Sequence, residues 1–290
     1  MIKIRNFAKY MDYTLNCRGR LLSLSVPQVM GIVNVTPDSF FAASRQQTER
    51  AIAERVGQIL SEGGTIVDIG ACSTRPDSTV ADESVEMQRL RLALSVVCRE
   101  YPDAIVSVDT FRPQVARMAV EEFGASIIND VGSMSTAVAS ADLQPMFRMV
   151  SSLGVPYIYT SHKSNVSDVL LDSAAAISRL RSYGQKDILL DPGFGFGKTL
   201  ADNYSLLDSL EQLQVMQLPV LVGVSRKSMV WRLLSSTPEE ALNGTTALHA
   251  IALLKGASVL RVHDVREAVE CVKICSQLTA GSVGQVHHSL

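Results

Sequence analysis

The sequence predicts a single α/β domain folded as a (β/α)8 TIM barrel, preceded by an N-terminal β-hairpin. Eight short runs rich in β-branched residues recur along the chain, and each is apolar almost throughout. Such runs are typical of strands buried on both faces of a parallel sheet. Helical patterns lie between them. A doubly wound open sheet is the alternative, because strand order cannot be read from sequence.

The predicted strands alternate with helical segments such as DESVEMQRLRLALSVVCREY, and Gly or Pro marks most junctions. In chain order the strands are VMGIVNV from Val29, TIVDIG from Thr65, AIVSVDT from Ala104, SIINDV from Ser126, VPYIYTS from Val155, DILLDPG from Asp187, PVLVGVS from Pro219 and SVLRVHD from Ser258. This repetition of βα units over one domain's length favours the barrel.

The first segment of the chain differs from the rest. YTLNCRGRLLSLS alternates around Arg18 and Gly19, which predicts a hairpin that lies outside the barrel and closes its bottom. We therefore divide the chain into an N-terminal hairpin extension (1–28), the barrel (29–280) and a flexible C-terminal tail (281–290).

Composition excludes several classes of function. The 290 residues carry a formal net charge of −2 without a long charged run, so nucleic acid and anionic membranes are not expected as main partners. No apolar run approaches the ~20 residues needed to span a bilayer, and the N-terminus does not resemble a signal peptide. The five cysteines contain no CxxC pair, which fits a reducing cytoplasm.

Polar side chains follow nearly every predicted strand. In a TIM barrel the carboxyl ends of the strands meet on one face, where the active site is built. Helix capping explains a single Asp or Asn at such a place, but it is a poor explanation for all eight. These residues are Asn34, Asp68, Asp109, Asn129, Asp130, Ser161, His162, Asp191, Ser225, Arg226, Lys227, Ser228, Arg261, His263 and Asp264.

The strand-end residues are of two kinds. Asp109, Asn129 and Asp191 are acceptors able to hold a flat heterocycle with several N–H donors. Cations able to hold a phosphate or diphosphate are Lys227, Arg226, Arg261 and His263. We expect a substrate with a nitrogen-rich ring and an anionic leaving group. No zinc-like ligand spacing occurs, but Mg²⁺ bound by substrate phosphates and one protein oxygen would leave little trace in sequence.

The run DPGFGFGKT (191–199) has the composition of a phosphate-binding P-loop but not its spacing. A P-loop has four residues between its first Gly and its Gly-Lys pair, whereas Gly193 and Gly197 have three between them. We interpret the run as a carboxylate, Asp191, at a strand end beside a flexible basic loop.

Seven ordered motifs now carry a family resemblance. They are MGIVNVTPDSF (30–40), VDIGACSTRP (67–76), SVDTFRPQVA (107–116), IINDV (127–131), LLDPGFGFGKT (189–199), PVLVGVSRKS (219–228) and LRVHDV (260–265). Together they resemble dihydropteroate synthases over nearly the whole barrel. The resemblance implies a cytoplasmic, homodimeric, pterin-binding TIM barrel of folate biosynthesis. Such enzymes join 6-hydroxymethyl-7,8-dihydropterin diphosphate to p-aminobenzoate, release diphosphate and are inhibited by sulfonamides.

The resemblance also implies roles for individual residues. The pterin pocket would comprise Asp109, Asn129, Asp191 and Lys227. Diphosphate would contact Asn34, Arg261 and His263, with Asn34 also near Mg²⁺. The p-aminobenzoate region would comprise Thr74, Arg75, Pro76, Phe196, Ser228 and Phe40. Catalysis is assigned to Lys227, Arg261, His263 and Asp109, without a protein nucleophile. Lys198 is expected to be structural and Cys72 to be packed.

Two segments depart from the family pattern. FAAS (41–44) replaces the usual SDGG, which would stiffen or redirect the first loop. After the fifth barrel strand, Thr160 and Ser161 stand where Met and His are usual. His162 is displaced by one position and is expected at the surface. The following segment also looks short by roughly a dozen residues. Thr160, being smaller and polar, would lower pterin affinity.

Three functions therefore stay open at this point. The first is an active dihydropteroate synthase. The second is a weak or inactive pterin-binding paralogue, motivated by the segment after the fifth strand, although the retained Arg261 and His263 argue against it. The third is a pterin-binding methyltransferase barrel, against which FGFGK and SRKS argue.

Overall fold

A computed structural model describes residues 12–35, 45–72, 81–131 and 143–281. An eight-stranded parallel sheet forms its centre. The strands are β3 (Gln28–Asn34), β4 (Ile66–Gly70), β5 (Ile105–Asp109), β6 (Ile127–Asp130), β7 (Tyr157–Thr160), β8 (Ile188–Asp191), β9 (Leu221–Val222) and β10 (Val259–Val262). Their order is β8-β7-β6-β5-β4-β3-β10-β9, and a parallel bridge between Leu190 and Val220 closes the barrel.

The TIM-barrel prediction is confirmed, and the open doubly wound sheet is excluded. An open sheet would reverse its strand order at a switch point, whereas here every strand has a sequential neighbour around a closed ring. All eight predicted runs contain a barrel strand. The seventh is reduced to two residues, because the chain leaves the ladder at Gly223 to begin the SRKS loop.

Helices cover the outside of the barrel. They are α1 (Arg45–Ser61), α2 (Glu83–Glu100), α3 (Pro113–Phe123), α4 (Gln144–Leu153), α5 (Val166–Ser182), α6 (Leu200–Asp208), a 3-10 helix (Leu210–Met216), α7 (Ser228–Leu233), α8 (Leu242–Leu254) and α9 (Val265–Gly281). Within the described ranges, none of them is both long and apolar enough to cross a membrane. The boundaries predicted for the barrel and the C-terminal tail stay predictions.

The N-terminal hairpin closes the bottom of the barrel, as the sequence predicts. Strands β1 (Thr14–Cys17) and β2 (Arg20–Ser23) pair antiparallel, and the turn between them has positive φ at Arg18 and Gly19. Leu15, Cys17 and Leu24 are buried against the amino-terminal ends of the barrel strands. Apolar burial of this kind stabilises by about 25 cal/mol per Å². The hairpin is therefore part of the barrel's packing.

The barrel interior is sorted into an apolar layer and a polar layer by the alternation of side chains along each strand. The lower layer is buried, takes one residue from each strand, and comprises Met30, Ile66, Ile105, Ile127, Ile158, Leu189, Leu221 and Val259. Two positions further along the same strands lie Ile32, Asp68, Ser107, Asn129, Thr160, Asp191, Gly223 and Arg261. A layer of apolar side chains therefore packs beneath a layer in which six of the eight residues are polar. We call the second one the polar layer.

Stability is expected to fall in mild acid, partly through His249 of α8. Its ring is 1% exposed, Nε2 has no hydrogen-bond partner among the described residues, and burial lowers its pKa from 6.5 to about 4. The folded state disfavours the proton, so stability is complete above pH 6.5 and is lost as the pH falls towards 4, by up to about 3 kcal/mol. Urea unfolding of His249→Leu should show a shallower decline across this window. An unchanged slope would mean that the native state accepts the proton.

Candidate active site

Arg261 lies at the centre of the polar layer and joins two carboxylates. Its Nε donates to Asp68 Oδ2 and its Nη2 donates to Asp109 Oδ2, both at 2.6 Å. Asp109 ends β5 in register with Asn129 of β6, and the Asn129 amide donates to Asp68 Oδ2 at 3.1 Å. One connected network therefore links strands β4, β5, β6 and β10 across the barrel.

Asp68 is the residue whose importance the sequence did not reveal. It was one of many strand-end residues, without an assigned role. In the structure it is fully buried and accepts from Arg261, Asn129 and the Ser107 hydroxyl, the last at 2.6 Å. Side chains alternate between the two faces of a strand, so Asp68 lies on the same face as buried Ile66, two residues earlier. The sequence therefore contains a signal that Asp68 points into the barrel.

Burial sets the electrostatics of this network. It raises the pKa of Asp109, and the Arg261 guanidinium opposes that shift. Burial also raises the pKa of Asp191, with Lys227 as the main opposing charge. For Arg261, burial disfavours the cation, but Asp68 and Asp109 outweigh it and raise its pKa above the ordinary value. For Asp109 and Asp191, burial outweighs the nearby cations and disfavours the charged carboxylate, which suits a ligand that brings further N–H donors.

Asp191 and Lys227 form a second group around the DPGFGFGKT loop. Asp191 Oδ1 accepts from the Gly193 backbone N–H at 2.7 Å, and Lys227 Nζ donates to the Phe194 carbonyl. The same ammonium lies 4.7 Å from the centre of the Phe196 ring, within range for a cation–π contact. Burial lowers the pKa of Lys227 to about 8.

Lys198 stabilises this loop from the other side. Its Nζ donates to the Gly193 carbonyl at 2.7 Å, which supports a structural role rather than a phosphate contact. Thr199 and Asp202 form a capping box at the start of α6 that fixes the loop's exit. Burial lowers the pKa of Lys198 to about 8.

Two of the three glycines of the loop, Gly193 and Gly197, provide a matched pair of substitutions. Both have positive φ, but a Cβ on Gly193 would lie 2.0 Å from the Ser161 carbonyl oxygen, whereas one on Gly197 would meet nothing within 4 Å. We expect Gly197→Ala to cost about 1 kcal/mol through its φ alone. Gly193→Ala should cost at least about 3 kcal/mol and lower activity, because the backbone beside Asp191 must move. Chemical denaturation of both variants measures the difference, and equal losses would contradict it.

The segment after β7 corrects one expectation. His162 is half-buried and not a surface residue: its ring lies 4.9 Å from the Phe196 ring, and its buried Nε2 has no partner among the described residues. Ser161 and Tyr159 anchor the segment by donating to Asp172 of α5 at 2.7 and 2.9 Å. Burial and Lys198 lower the pKa of His162 to about 4, so the ring is neutral near pH 7.

Two polar atoms of the polar layer lack a partner within the described ranges. They are the side-chain oxygens Asn129 Oδ1 and Thr160 Oγ1, both buried. An unpaired buried acceptor costs free energy, which makes Asn129 Oδ1 a candidate for a ligand's hydrogen bond. Thr160 stands in register with Asp191, at the position where the resemblance leads us to expect a methionine.

His263 follows β10 at the rim, next to the end of β9. Its Nδ1 lies 3.2 Å from Ser225 Oγ, and its backbone N–H donates to the same oxygen at 3.1 Å. Burial, together with Arg261, lowers the pKa of His263 to about 4. Arg226 does not join the cations of the site: its guanidinium forms a bidentate pair with Asp264 at 2.8 and 2.9 Å. The expectation of a phosphate contact from Arg226 is wrong.

The other predicted residues are placed as follows. Asn34 ends β3 at the rim, Phe196 lies beside Lys227, and Ser228 is the first residue of α7. Phe40, Thr74, Arg75 and Pro76 lie outside the described residues, as does the FAAS segment. Cys72 is half-buried, and burial raises the pKa of its thiol, so it lacks the character of a nucleophile.

Comparison with known proteins identifies the family to which the chain belongs. The profile of a family described as pterin binding enzyme matches residues 30–263. The dihydropteroate synthase of Escherichia coli strain K12 is 36% identical over 269 residues, covering 90% of this chain and 94% of that protein. The chain belongs to the dihydropteroate synthase family. It is accordingly a transferase of folate biosynthesis.

Solved structures of dihydropteroate synthases share the fold. The Xanthomonas albilineans enzyme with 4-aminobenzoic acid is 35% identical, with a TM-score of 0.82 over 92% of this chain and 98% of that one. The Yersinia pestis enzyme in a sulfonamide complex is 34% identical, with a TM-score of 0.81 over 92% and 100%. The family's barrel is thus preserved despite the altered segment after β7.

The described residues contain no cluster of three or more His, Cys, Asp or Glu that could hold a metal ion. A magnesium ion that takes most ligands from phosphates and water needs only one protein oxygen. Asn34 fits this requirement, since it is half-buried at the rim and its side-chain amide has no partner among the described residues.

Proposed function

We propose that this chain is a catalytically active dihydropteroate synthase that condenses 6-hydroxymethyl-7,8-dihydropterin diphosphate with p-aminobenzoate. The observation that carries the proposal is that the polar layer, with its acceptors and Arg261, lies directly beside Asp109 and Lys227, so that acceptors and two half-buried cations share one site. Asp109, Asp191 and Asn129 supply acceptors for the N–H groups of a pterin. Lys227 supplies a donor for its ring carbonyl, close to Asp191.

Bond cleavage begins with departure of the diphosphate. Arg261 and His263 lie on the β10 side of the ring and are suited to bind the leaving anion. The negative charge of Asp109 and Asp191 favours the cation that the pterin methylene becomes. The p-aminobenzoate nitrogen then attacks that carbon and loses its proton, so no protein nucleophile is required. A magnesium ion held by Asn34 would add charge stabilisation of the diphosphate when bound.

We propose that Phe196 and Ser228 border the p-aminobenzoate position, to which the family resemblance also assigns Thr74, Arg75, Pro76 and Phe40. The Phe196 ring contacts both Lys227 and His162 and is therefore held at the edge of the pterin pocket. A ring in this place is suited to pack against a benzoate. In this chain His162 takes part in holding that ring.

The test is direct. Purified protein is supplied with the pterin diphosphate, Mg²⁺ and labelled p-aminobenzoate, and labelled dihydropteroate and released diphosphate are measured. We expect product whose formation a sulfonamide blocks. Pterin binding in a calorimeter without product would instead support the weak paralogue, which Thr160 in the polar layer favours. No observation favours the methyltransferase alternative.

We also propose a homodimer, acting in the cytoplasm. Exposed apolar side chains lie on neighbouring helices α7, α8 and α9 and just after α7: Leu233, Leu234, Ile251, Ile274 and Leu278. Large exposed apolar side chains on adjacent elements mark association surfaces. Ile274→Lys should convert a dimer into a monomer in analytical ultracentrifugation. Leu171→Lys, on α5 and 71% exposed, is the control and should leave the mass unchanged.

A further inference from the structure

We propose that Ser225 is a positioning residue that fixes the tautomer of His263, so that its Nε2–H is presented to the departing diphosphate. That the ligand of Nε2–H is a departing diphosphate rests on the proposed function. The assignment of the tautomer depends only on the hydrogen-bond geometry around Ser225 and His263.

Hydrogen-bond donors decide the tautomer. Ser225 Oγ accepts from the His263 backbone N–H, a group that can only donate. If Oγ also accepted from an Nδ1–H, its own hydroxyl proton would have no acceptor among the described residues, whereas donation of that proton to Nδ1, 3.2 Å away, satisfies both groups. Nδ1 is thereby an acceptor, and the single ring proton of a neutral imidazole lies on Nε2.

The tautomer matters because the ring is neutral. Burial and the neighbouring Arg261 keep the pKa of His263 near 4, so at pH 7 the ring offers one N–H and one lone pair. A lone pair facing a phosphate oxygen repels it, whereas an N–H donates to it. Nε2 has no protein partner among the described residues, so it is available to a ligand.

The backbone around His263 is also held by groups other than the serine side chain. Arg55 Nη2 donates to the His263 carbonyl at 2.6 Å, and Arg226 holds the next residue, Asp264, through two bonds. Loss of the Ser225 hydroxyl therefore removes one backbone bond as well as the contact with the ring, but it leaves the bonds to the His263 carbonyl and to Asp264 in place. Ser225→Ala accordingly probes ring orientation and tautomer with the main chain still anchored on both sides.

The first experiment needs no turnover. In ¹⁵N-histidine-labelled protein, the His263 signals are assigned by comparison with His263→Gln, and the nitrogen shifts report which atom is protonated. We expect the Nε2–H form in the parent protein and a mixture of tautomers in Ser225→Ala. An Nδ1–H ring in the parent, or an unchanged spectrum in the variant, would overturn the proposal even if the protein is an active synthase.

The second experiment is a double-mutant cycle on kcat/KM for the pterin diphosphate. Ser225→Ala should lower it about tenfold, the effect typical of losing the residue that orients a functional histidine. The same change in a His263→Ala background should have no further effect. Ser258→Ala, which removes an equally buried hydroxyl before β10, is the control and should stay within twofold. An equal tenfold loss in both backgrounds would make Ser225 a general structural residue.

Discussion

Replacing Lys227 by methionine is expected to lower kcat/KM for the pterin diphosphate about a thousandfold while leaving the protein folded. Removal of one preorganised donor or cation from a buried site typically has an effect of this order. Methionine keeps the length of the side chain and its packing on Phe196. Because Asp191 loses its main opposing charge, the free energy of unfolding should fall, although the burial that disfavours the Lys227 ammonium offsets part of the loss.

Lys198→Met is the matched control. Both lysines are largely buried beside Asp191, both donate to a loop carbonyl, and burial lowers both pKa values to about 8. Only Lys227 contacts Phe196 at the pocket. We expect Lys198→Met to lower kcat/KM less than tenfold and to act mainly on the free energy of unfolding. Equal losses of activity would mean that the loop's net charge, and not a specific donor, supports the reaction.

The pH dependence of kcat/KM should also differ between the Lys227→Met and Lys198→Met variants. A Lys227 that must be protonated is charged below pH 8 and neutral above it, so kcat/KM should fall as the pH rises through about 8. This limb should disappear in Lys227→Met and persist in Lys198→Met. Steady-state rates between pH 6 and about 9.5 would test it.

Sequence alone was sufficient for the barrel strands and the hairpin, because their signals are local. Each strand is a short apolar run, and the hairpin at Arg18 and Gly19 has its own alternation. Strand order and closure depend on pairing between distant segments, such as the bridge from Leu190 to Val220, and no local pattern contains them. The brevity of β9 likewise reflects the turn into the SRKS loop.

At the site, the sequence predicts the residue types and their place at the carboxyl ends of the strands, but not which side chains pair with one another. It separated acceptors from cations, whereas the structure pairs Arg261 with Asp68 and Asp109 within one network. Arg226 was wrongly grouped with the phosphate cations because its partner, Asp264, lies 38 residues away. His162 was expected outside because its contact with Phe196 is a tertiary one.

The pairing of Arg261 leads to the second large effect. Arg261→Met would leave the buried carboxylates of Asp68 and Asp109 without their common cation, and we expect a loss of about 3–5 kcal/mol in the free energy of unfolding at pH 7. Arg226→Met also removes a carboxylate partner, but its pair with Asp264 is more exposed, at 26% and 17% of the two side chains. We expect about 1 kcal/mol there.

The sign of the pH dependence follows from the carboxylates. Without Arg261, the folded pKa of Asp109 rises further above its unfolded value, so the penalty is complete at high pH and shrinks as this carboxylate takes up a proton on acidification. The stability gap between Arg261→Met and the parent should therefore narrow between pH 8 and pH 5 in urea titrations. A constant gap would mean that lost packing, and not uncompensated charge, is the cause.

A second substitution separates fold from catalysis. Adding Asp68→Asn to Arg261→Met removes one of the two orphaned charges, and Ser107 and Asn129 can still hydrogen-bond the new amide. We expect the double variant to recover at least half of the lost stability but none of the lost activity, because the cation that binds the leaving diphosphate is still missing. Recovery of activity together with stability would mean that Arg261 serves only to neutralise Asp68, and the leaving-group role would then pass to His263 and the metal.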